Sequence, residues 1–278
     1  MMSLGSESVK YWISRNRDDL AFWGIFISIA TVLFWVFSDW DFSLFLTVSS
    51  LTSMFSYLMV AAKIDSSRSS RGVSRNMFEC YLLVAIARLI AILPFQAYLP
   101  YDRTGDWLYQ AIEILSLFLV VFIVYQTRSK FAASYEAELD KFPHWYLVGG
   151  CLVLALLFHP SLNSYMPIDV CWTFALYLES VTVLPQLLMF QKAGRVEPFT
   201  THFLAGQALS RTLSFVFWLH SHHELNDATR PLKSYVGWWV LGMQLLQLIV
   251  MADFVYYYVR CLRKGISVQY IMHAAETV

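Results

Sequence analysis

Apolar runs of bilayer length recur along this chain with short connections between them. They cover residues 20–37, 42–62, 77–99, 107–125, 145–159, 167–190, 203–220 and 235–259. Most approach the ~20 residues a helix needs to cross a membrane, and the short fifth run crosses with tilt or local bilayer thinning. Lipid offers no hydrogen bonds, so a spanning segment must satisfy its own backbone, and runs of this length do so as helices. Composition agrees: of 278 residues, 58% are hydrophobic and 14% charged, too little charge to cover a soluble domain of this size. The chain therefore reads as an all-α integral membrane protein with eight spans. The first run follows Arg15, Arg17, Asp18 and Asp19 and has no small-residue cleavage site before Ser38-Asp39, so it reads as a retained span.

The basic residues test this layout independently, because cytoplasmic connections collect Lys and Arg. One set of alternate connections and both tails hold Lys10, Arg15, Arg17, Lys63, Arg68, Arg71, Arg75, Arg128, Lys130, Lys141, Lys192, Arg195, Arg260, Arg263 and Lys264, fifteen in all. The opposite connections hold three, Arg103, Arg230 and Lys233. Both termini are therefore expected in the cytosol. The layout divides into residues 1–41 (tail and first span), 42–259 (the remaining spans) and a cytosolic tail, 260–278.

Several function classes are disfavoured. Net charge is zero, so nothing points to nucleic acid as a partner; the partner written into the composition is the lipid bilayer. Cys80, Cys151, Cys171 and Cys261 have no paired spacing, which argues against a disulfide frame or a metal site. No nucleophile with a base and no glycine-rich phosphate loop is visible, so neither an enzyme nor a cofactor is expected.

The two remaining basic residues, Arg88 and Arg211, lie inside apolar runs. A guanidinium there costs several kcal/mol unless it is paired or wetted. Position within each run places Arg88, Glu179 and Arg211 at about the same depth, with Glu113 nearer the non-cytoplasmic side, Asp169 at the entrance of its run and Asp253 towards the cytoplasmic end of the last. A Glu179–Arg211 pair is the economical arrangement, and it leaves Arg88 in search of an anion. Arginine's planar fork suits a carboxylate, so a cavity with surplus positive charge that binds an anion is expected. Gln207, Arg211 and Ser214, spaced by four and three, share one helical face and form its expected wall.

Pro185 interrupts the sixth run, and Gln186 beside it is expected to satisfy the carbonyl the proline frees. A Pro-Gln pair at this place resembles the PQ-loop group of membrane proteins. The likeness implies a PQ-loop/SWEET-like core of seven transmembrane helices, two three-helix bundles plus a linker helix, here with one additional N-terminal helix.

Read whole, segment 172–186 resembles the signature of the KDEL receptor family, the ER lumen protein-retaining receptors. So do Ser67-Arg68-Ser69 with Gly72 and Ser74, Ala87-Arg88, Lys130-Phe131-Ala132-Ala133-Ser134-Tyr135, residues 197–202 followed by Arg211, and Asp253-Phe254-Val255-Tyr256-Tyr257-Tyr258. Together these motifs cover about residues 43–265, and the extra span resembles a longer plant-type branch. The resemblance implies a receptor of the ER and early Golgi membranes that binds C-terminal retention tetrapeptides at acidic pH and returns with them in COPI vesicles. It implies a ligand carboxylate on Arg88, a rearranging Glu179–Arg211 pair, Asp169 near the ligand's basic end, and Trp172 and Trp218 as cavity aromatics. Arg263 and Lys264 stand at its basic cytosolic sorting patch.

Departures accompany the likeness. Leu46 and Ser221 stand where the family has arginines for the signal's acidic side chains, Ala91 where it has an acid, Ser210 and Ser214 where it has tyrosines, and Ser53 in place of a pH-linked histidine. His159, His220, His222 and His223 gather at the non-cytoplasmic ends of spans and are candidate replacements as pH sensors. Three alternatives stand beside the receptor: a divergent paralogue with altered or no signal binding, a transporter of small organic anions, and a scaffold in which the charges only tie helices together.

Overall fold

The structure, a computed structural model, describes residues 44–95, 106–160, 165–193, 196–226, 235–264 and 268–271, with isolated positions 24, 27, 28, 31, 32, 99 and 162. The extra N-terminal span expected over 20–37 lies outside these residues apart from isolated helical positions, as do Arg103, Arg195, Arg230 and Lys233. Among the described residues eight helices have defined bounds: α1 (Leu44–Ser67), α2 (Arg75–Ile92), α3 (Trp107–Tyr125), α4 (His144–Leu157), α5 (Met166–Val181), α6 (Leu184–Lys192), α7 (Pro198–Ser221) and α8 (Val236–Lys264). Short turns of tighter or wider helix, Gln126–Lys130, Ala132–Ser134, His222–Leu225 and Val268–Tyr270, complete the described elements.

Among the described residues four helical stretches, Phe45–Ser67, Trp107–Lys130, Met166–Lys192 and Val236–Arg263, are long and apolar enough to cross a membrane, and α4 is apolar but shorter. This is the build of a multi-pass membrane protein. Two of the other helices carry more polar groups: α2 holds Arg75, Glu79 and Arg88, and α7 buries Gln207, Ser210 and Arg211.

Local sequence sets the helix ends. Ser74 caps α2, its Oγ accepting from Met77 N at 3.1 Å, and α2 stops at Ile92 rather than running on to 99 because Pro94 follows. Pro198 opens α7 five residues before the apolar run begins, and α1 and α8 continue past their runs through polar turns. The sixth run is two helices. Thr182 and Val183 form a turn between α5 and α6, and Pro185, which has no N–H for a helical bond, sits in the first turn of α6.

Packing is by small polar residues as much as by apolar ones. Ser49 Oγ donates to Ser210 O at 2.8 Å, and Ser53 Oγ donates to Gln207 Oε1 at 3.1 Å, so α1 and α7 run antiparallel with a hydroxyl seam between them. Such residues let membrane helices approach closely and hydrogen-bond across the gap. At the end carrying loops 68–74 and 126–143, Tyr57, Phe78, Tyr81 and Phe203 pack edge-on and tilted in one core. A second core at the opposite end contains Leu46, Trp172, Leu176, Phe217, Trp218 and Val240.

The loop end is knitted by the segments that carry the family likeness. Gln186 Nε2 donates to Gly72 O at 3.0 Å, and Ser74 N donates to Gln186 Oε1 at 2.8 Å. The glutamine expected to satisfy the carbonyl freed by its neighbouring proline is thus spent on a loop instead. Asp140 accepts from Ser74 Oγ at 2.9 Å, Asn76 N at 3.2 Å and Tyr135 Oη at 2.6 Å, and Ser70 N donates to Ser134 Oγ at 2.8 Å. Gly72 has φ of +77°, a conformation other residues adopt only with strain.

Candidate functional site

Between the two cores lie four charged side chains from four helices. Arg88 of α2 faces Glu113 of α3, Nη1 to Oε2, at 3.3 Å, and its Nη2 closely contacts Oε2 of Glu179 on α5. The second oxygen of Glu179 meets Arg211 Nη1 of α7 at 2.6 Å. All four are largely buried, the side chain of Arg88 being the most exposed at 17%. Two guanidiniums and two carboxylates cancel. The surplus positive charge expected from sequence is therefore absent from this group, because Glu113 reaches Arg88 from one side and Glu179 divides its two oxygens between both arginines.

Hydrogen bonds fix the group's orientation. Ser50 Oγ of α1 donates to Glu113 Oε1 at 2.7 Å, and Arg211 Nη2 donates to Gln207 Oε1 at 3.4 Å. On α8, Gln247 Nε2 donates to the backbone carbonyl of Glu179 at 3.1 Å, just before the α5–α6 break. Buried charges survive in an apolar setting when paired and hydrogen-bonded in this way.

The quartet separates two spaces. The upper, about 60 Å³, is lined by Arg88, Glu179 and Arg211 together with Leu46, Trp172, Leu176, Trp218, Val240, Ser214 and Gln244. The lower, about 30 Å³, is lined by Arg88, Glu113, Glu179 and Arg211 with Ser53, Tyr57, Tyr81, Ser116 and Ser210. Volumes of this size hold a few water molecules. Four buried atoms of the lining residues, Gln244 Oε1 at the upper space and Tyr81 Oη, Ser116 Oγ and Arg211 Nε at the lower, have no hydrogen-bond partner among the described residues.

Of the residues singled out from sequence, Arg88, Trp172, Glu179, Arg211 and Trp218 converge on the upper space, and so does Ser214. Gln207, expected beside them in the wall, lies one turn away and is consumed between Ser53 and Arg211. Asp169 is 1% exposed in the first turn of α5 and is not part of the lining. The histidines stay outside both spaces. His159 Nδ1 lies 3.0 Å from Ala155 O, His222 Nδ1 3.1 Å from Leu219 O, and His223 Nδ1 3.0 Å from His220 O, each ring turned onto its own preceding turn. Arg263 is exposed on α8, Lys264 is that helix's last residue, and Leu46 walls the upper space while Ser53 and Ser210 wall the lower.

Sequence reading missed Ser50, Tyr109, Gln244 and Gln247 and placed Glu113 by its depth alone. The signal was present: Glu113 and Ser116 lie one turn apart in the same apolar run as Tyr109, and Gln244 and Gln247 repeat that spacing in another.

Comparison with known proteins follows the same lines. Residues 69–221 match the family described as ER lumen protein retaining receptor. The ER lumen protein-retaining receptor B of Arabidopsis thaliana is 30% identical over 218 residues, 78% of this chain and 93% of the relative. Those of Entamoeba histolytica and Plasmodium falciparum are 26% and 29% identical over 224 and 219 residues, covering 81% and 78% of this chain and 96% and 91% of theirs.

Proposed function

The chain belongs to the ER lumen protein-retaining receptor family, and on that premise we propose that it binds the C-terminal retention signals of luminal proteins and returns them from Golgi to ER in COPI vesicles. It works as a multi-pass protein of those membranes, with seven core helices, one added N-terminal helix and both termini in the cytosol. The observation that carries this reading is the convergence of Arg88, Glu179, Arg211, Trp172 and Trp218 on one polar space between helices of a chain in this family.

In this reading Arg88 receives the terminal carboxylate of the tail, a charge-assisted bond in a site shielded from bulk water. Trp172 and Trp218 flank the tail's apolar end, and Asp169 meets its basic end. Entry requires the walls to part, because the upper space holds a few waters and not a peptide. The Glu179–Arg211 pair ties the interrupted α5–α6 unit to α7, so a ligand that competes for either charge alters how those helices pack. Arg263 and Lys264 serve the cytosolic sorting step.

A second reading, a paralogue of altered specificity, is favoured by Leu46, an apolar residue in the cavity wall where the family likeness implies an arginine. Losing two charge-assisted contacts, at Leu46 and Ser221, would lower affinity for the usual acidic signal by about a thousandfold.

Titration with labelled peptides ending in His-Asp-Glu-Leu, with free and amidated C-termini, at about pH 5.5 and about pH 7.2 tests both. The receptor reading expects binding that needs the free carboxylate and is lost in Arg88→Ala. Binding of peptides that lack the acidic pair, in preference to His-Asp-Glu-Leu, selects the second reading. Failure of every free-carboxylate tail to bind at either pH rejects both.

A further inference from the structure

Arg88 is held from two sides, and the two sides differ. Glu179 is shared with Arg211, whereas Glu113 serves Arg88 through a single contact at 3.3 Å. Arg88 lines both spaces, but Glu113 lines only the lower one. A carboxylate arriving in the upper space therefore meets an arginine already neutralised from below.

Adding that carboxylate to a balanced quartet would bury an uncompensated negative charge, a costly outcome at membrane depth. One proton removes the cost. The groups facing Glu113 are Ser50 and Tyr57 from α1, Tyr81 and Arg88 from α2, Tyr109 and Ser116 from its own helix, Glu179 from α5 and Arg211 from α7. Glu179 sits between two guanidiniums and Glu113 touches one, so Glu113 is the carboxylate that gives up its charge at lower cost. A place for the new O–H exists: Ser116 Oγ, one turn along α3, faces the same lower space without a partner among the described residues.

We infer that Glu113 is an internal competitor for the ligand's carboxylate at Arg88, and that ligand and proton enter together, the proton going to Glu113. This rests on the carboxylate-binding reading above. The exchange balances: the Arg88–Glu113 ion pair is replaced by an Arg88–ligand ion pair, one O–H bond forms on Glu113, and the charge of the site is unchanged. Binding then strengthens as pH falls, by up to tenfold per pH unit for one coupled proton, or about 50-fold between pH 5.5 and 7.2. The acid dependence needs none of the four histidines.

The test uses the full chain in lipid nanodiscs and a fluorescent peptide ending in His-Asp-Glu-Leu with a free carboxylate. Glu113→Gln keeps an oxygen for Ser50 and removes the charge. It is expected to bind at pH 7.2 as tightly as at 5.5, with proton uptake, measured by calorimetry in buffers of different ionisation heat, falling from about one to zero. Ser50→Ala, a gentler change, removes a donor that favours the charged carboxylate and is expected to move the pH midpoint upward. Binding by Glu113→Gln where the unaltered chain binds nothing also supports the competitor role. Unaltered pH dependence in Glu113→Gln, or an unmoved midpoint in Ser50→Ala should Glu113→Gln fail to fold, overturns the inference and leaves the receptor reading standing. Absence of binding by every form at both pH values overturns the receptor reading, and the inference with it.

Discussion

Glu179 holds Arg211 through one oxygen at 2.6 Å and Arg88 through the other, so a single carboxylate fastens α5 to both α7 and α2. Arg88 and Arg211 are thereby coupled without touching the same atom. Any event that loosens one arginine changes the field on the other.

Removing this shared carboxylate should be the most damaging single change in the quartet. Glu179→Ala leaves two buried guanidiniums with Glu113 alone, and the cost expected for an uncompensated buried charge is ~3–5 kcal/mol. Arg211→Ala should cost less, because Glu179 keeps Arg88. Thermal unfolding in detergent, followed by tryptophan fluorescence, ranks the two. A double-mutant cycle on Glu179 and Arg211 should return a coupling of at least ~1 kcal/mol, and additive effects would contradict the pairing.

Gln186→Ala tests the seam between the α5–α6 break and the loop before α2. The substitution leaves Ser74 N and Gly72 O without their partner, at about 1–3 kcal/mol for buried groups. Hydrogen exchange should accelerate at Ser74 and its neighbours while α3 keeps its protection. Gln186→Glu retains the acceptor for Ser74 N but loses the donor to Gly72 O and places a carboxylate at a fully buried position, so it should cost more than Gln186→Ala.

Much of this arrangement was legible in the sequence. Runs of bilayer length located the helices, and the isolation of Arg88, Glu179 and Arg211 within them located the site, because charge at that depth has few explanations. Pairing was harder to read. Glu113 precedes the expected depth by most of a turn, and a long arginine side chain spans that offset, which residue counting along a helix axis does not register. The role of Gln186 was hidden for a different reason: its partners lie more than a hundred residues away in a loop, and no periodicity reports such a contact. Likewise the α5–α6 break looks like one continuous apolar run, since Thr182 and Val183 interrupt the helix without interrupting hydropathy.

Gly72→Ala should strain the same loop by another route. At φ of +77° an alanine costs ~1–2 kcal/mol in the backbone alone, and its Cβ would sit 2.7 Å from Glu197 Cγ. Glu197→Ala removes that Cγ but keeps a Cβ 3.1 Å away, so pairing it with Gly72→Ala should recover most of the steric part but not the backbone part. A fall in melting temperature that the second change fully restores would show that the left-handed conformation is not the dominant cost.

Asp140 anchors three donors at the loop end, and the pH dependence of one of them can be followed. Burial, and then the adjacent carboxylate that accepts its hydrogen bond, raise the Tyr135 phenol above its ordinary value. A folded-state value above the unfolded one means that the neutral phenol stabilises the fold. That contribution is fully present below the unfolded value of about 10 and is lost as pH rises through the folded value. Difference titration of the unaltered chain against Tyr135→Phe should therefore show one tyrosine ionising above the ordinary range, and Asp140→Asn should bring it down by removing the negative neighbour. Tyr135→Phe should soften the alkaline loss of stability, whereas Asp140→Asn should cost ~1–3 kcal/mol at neutral pH by weakening the bonds from Ser74 and Asn76. If Asp140→Asn leaves that titration where it was, the carboxylate has no part in the shift and burial alone sets it.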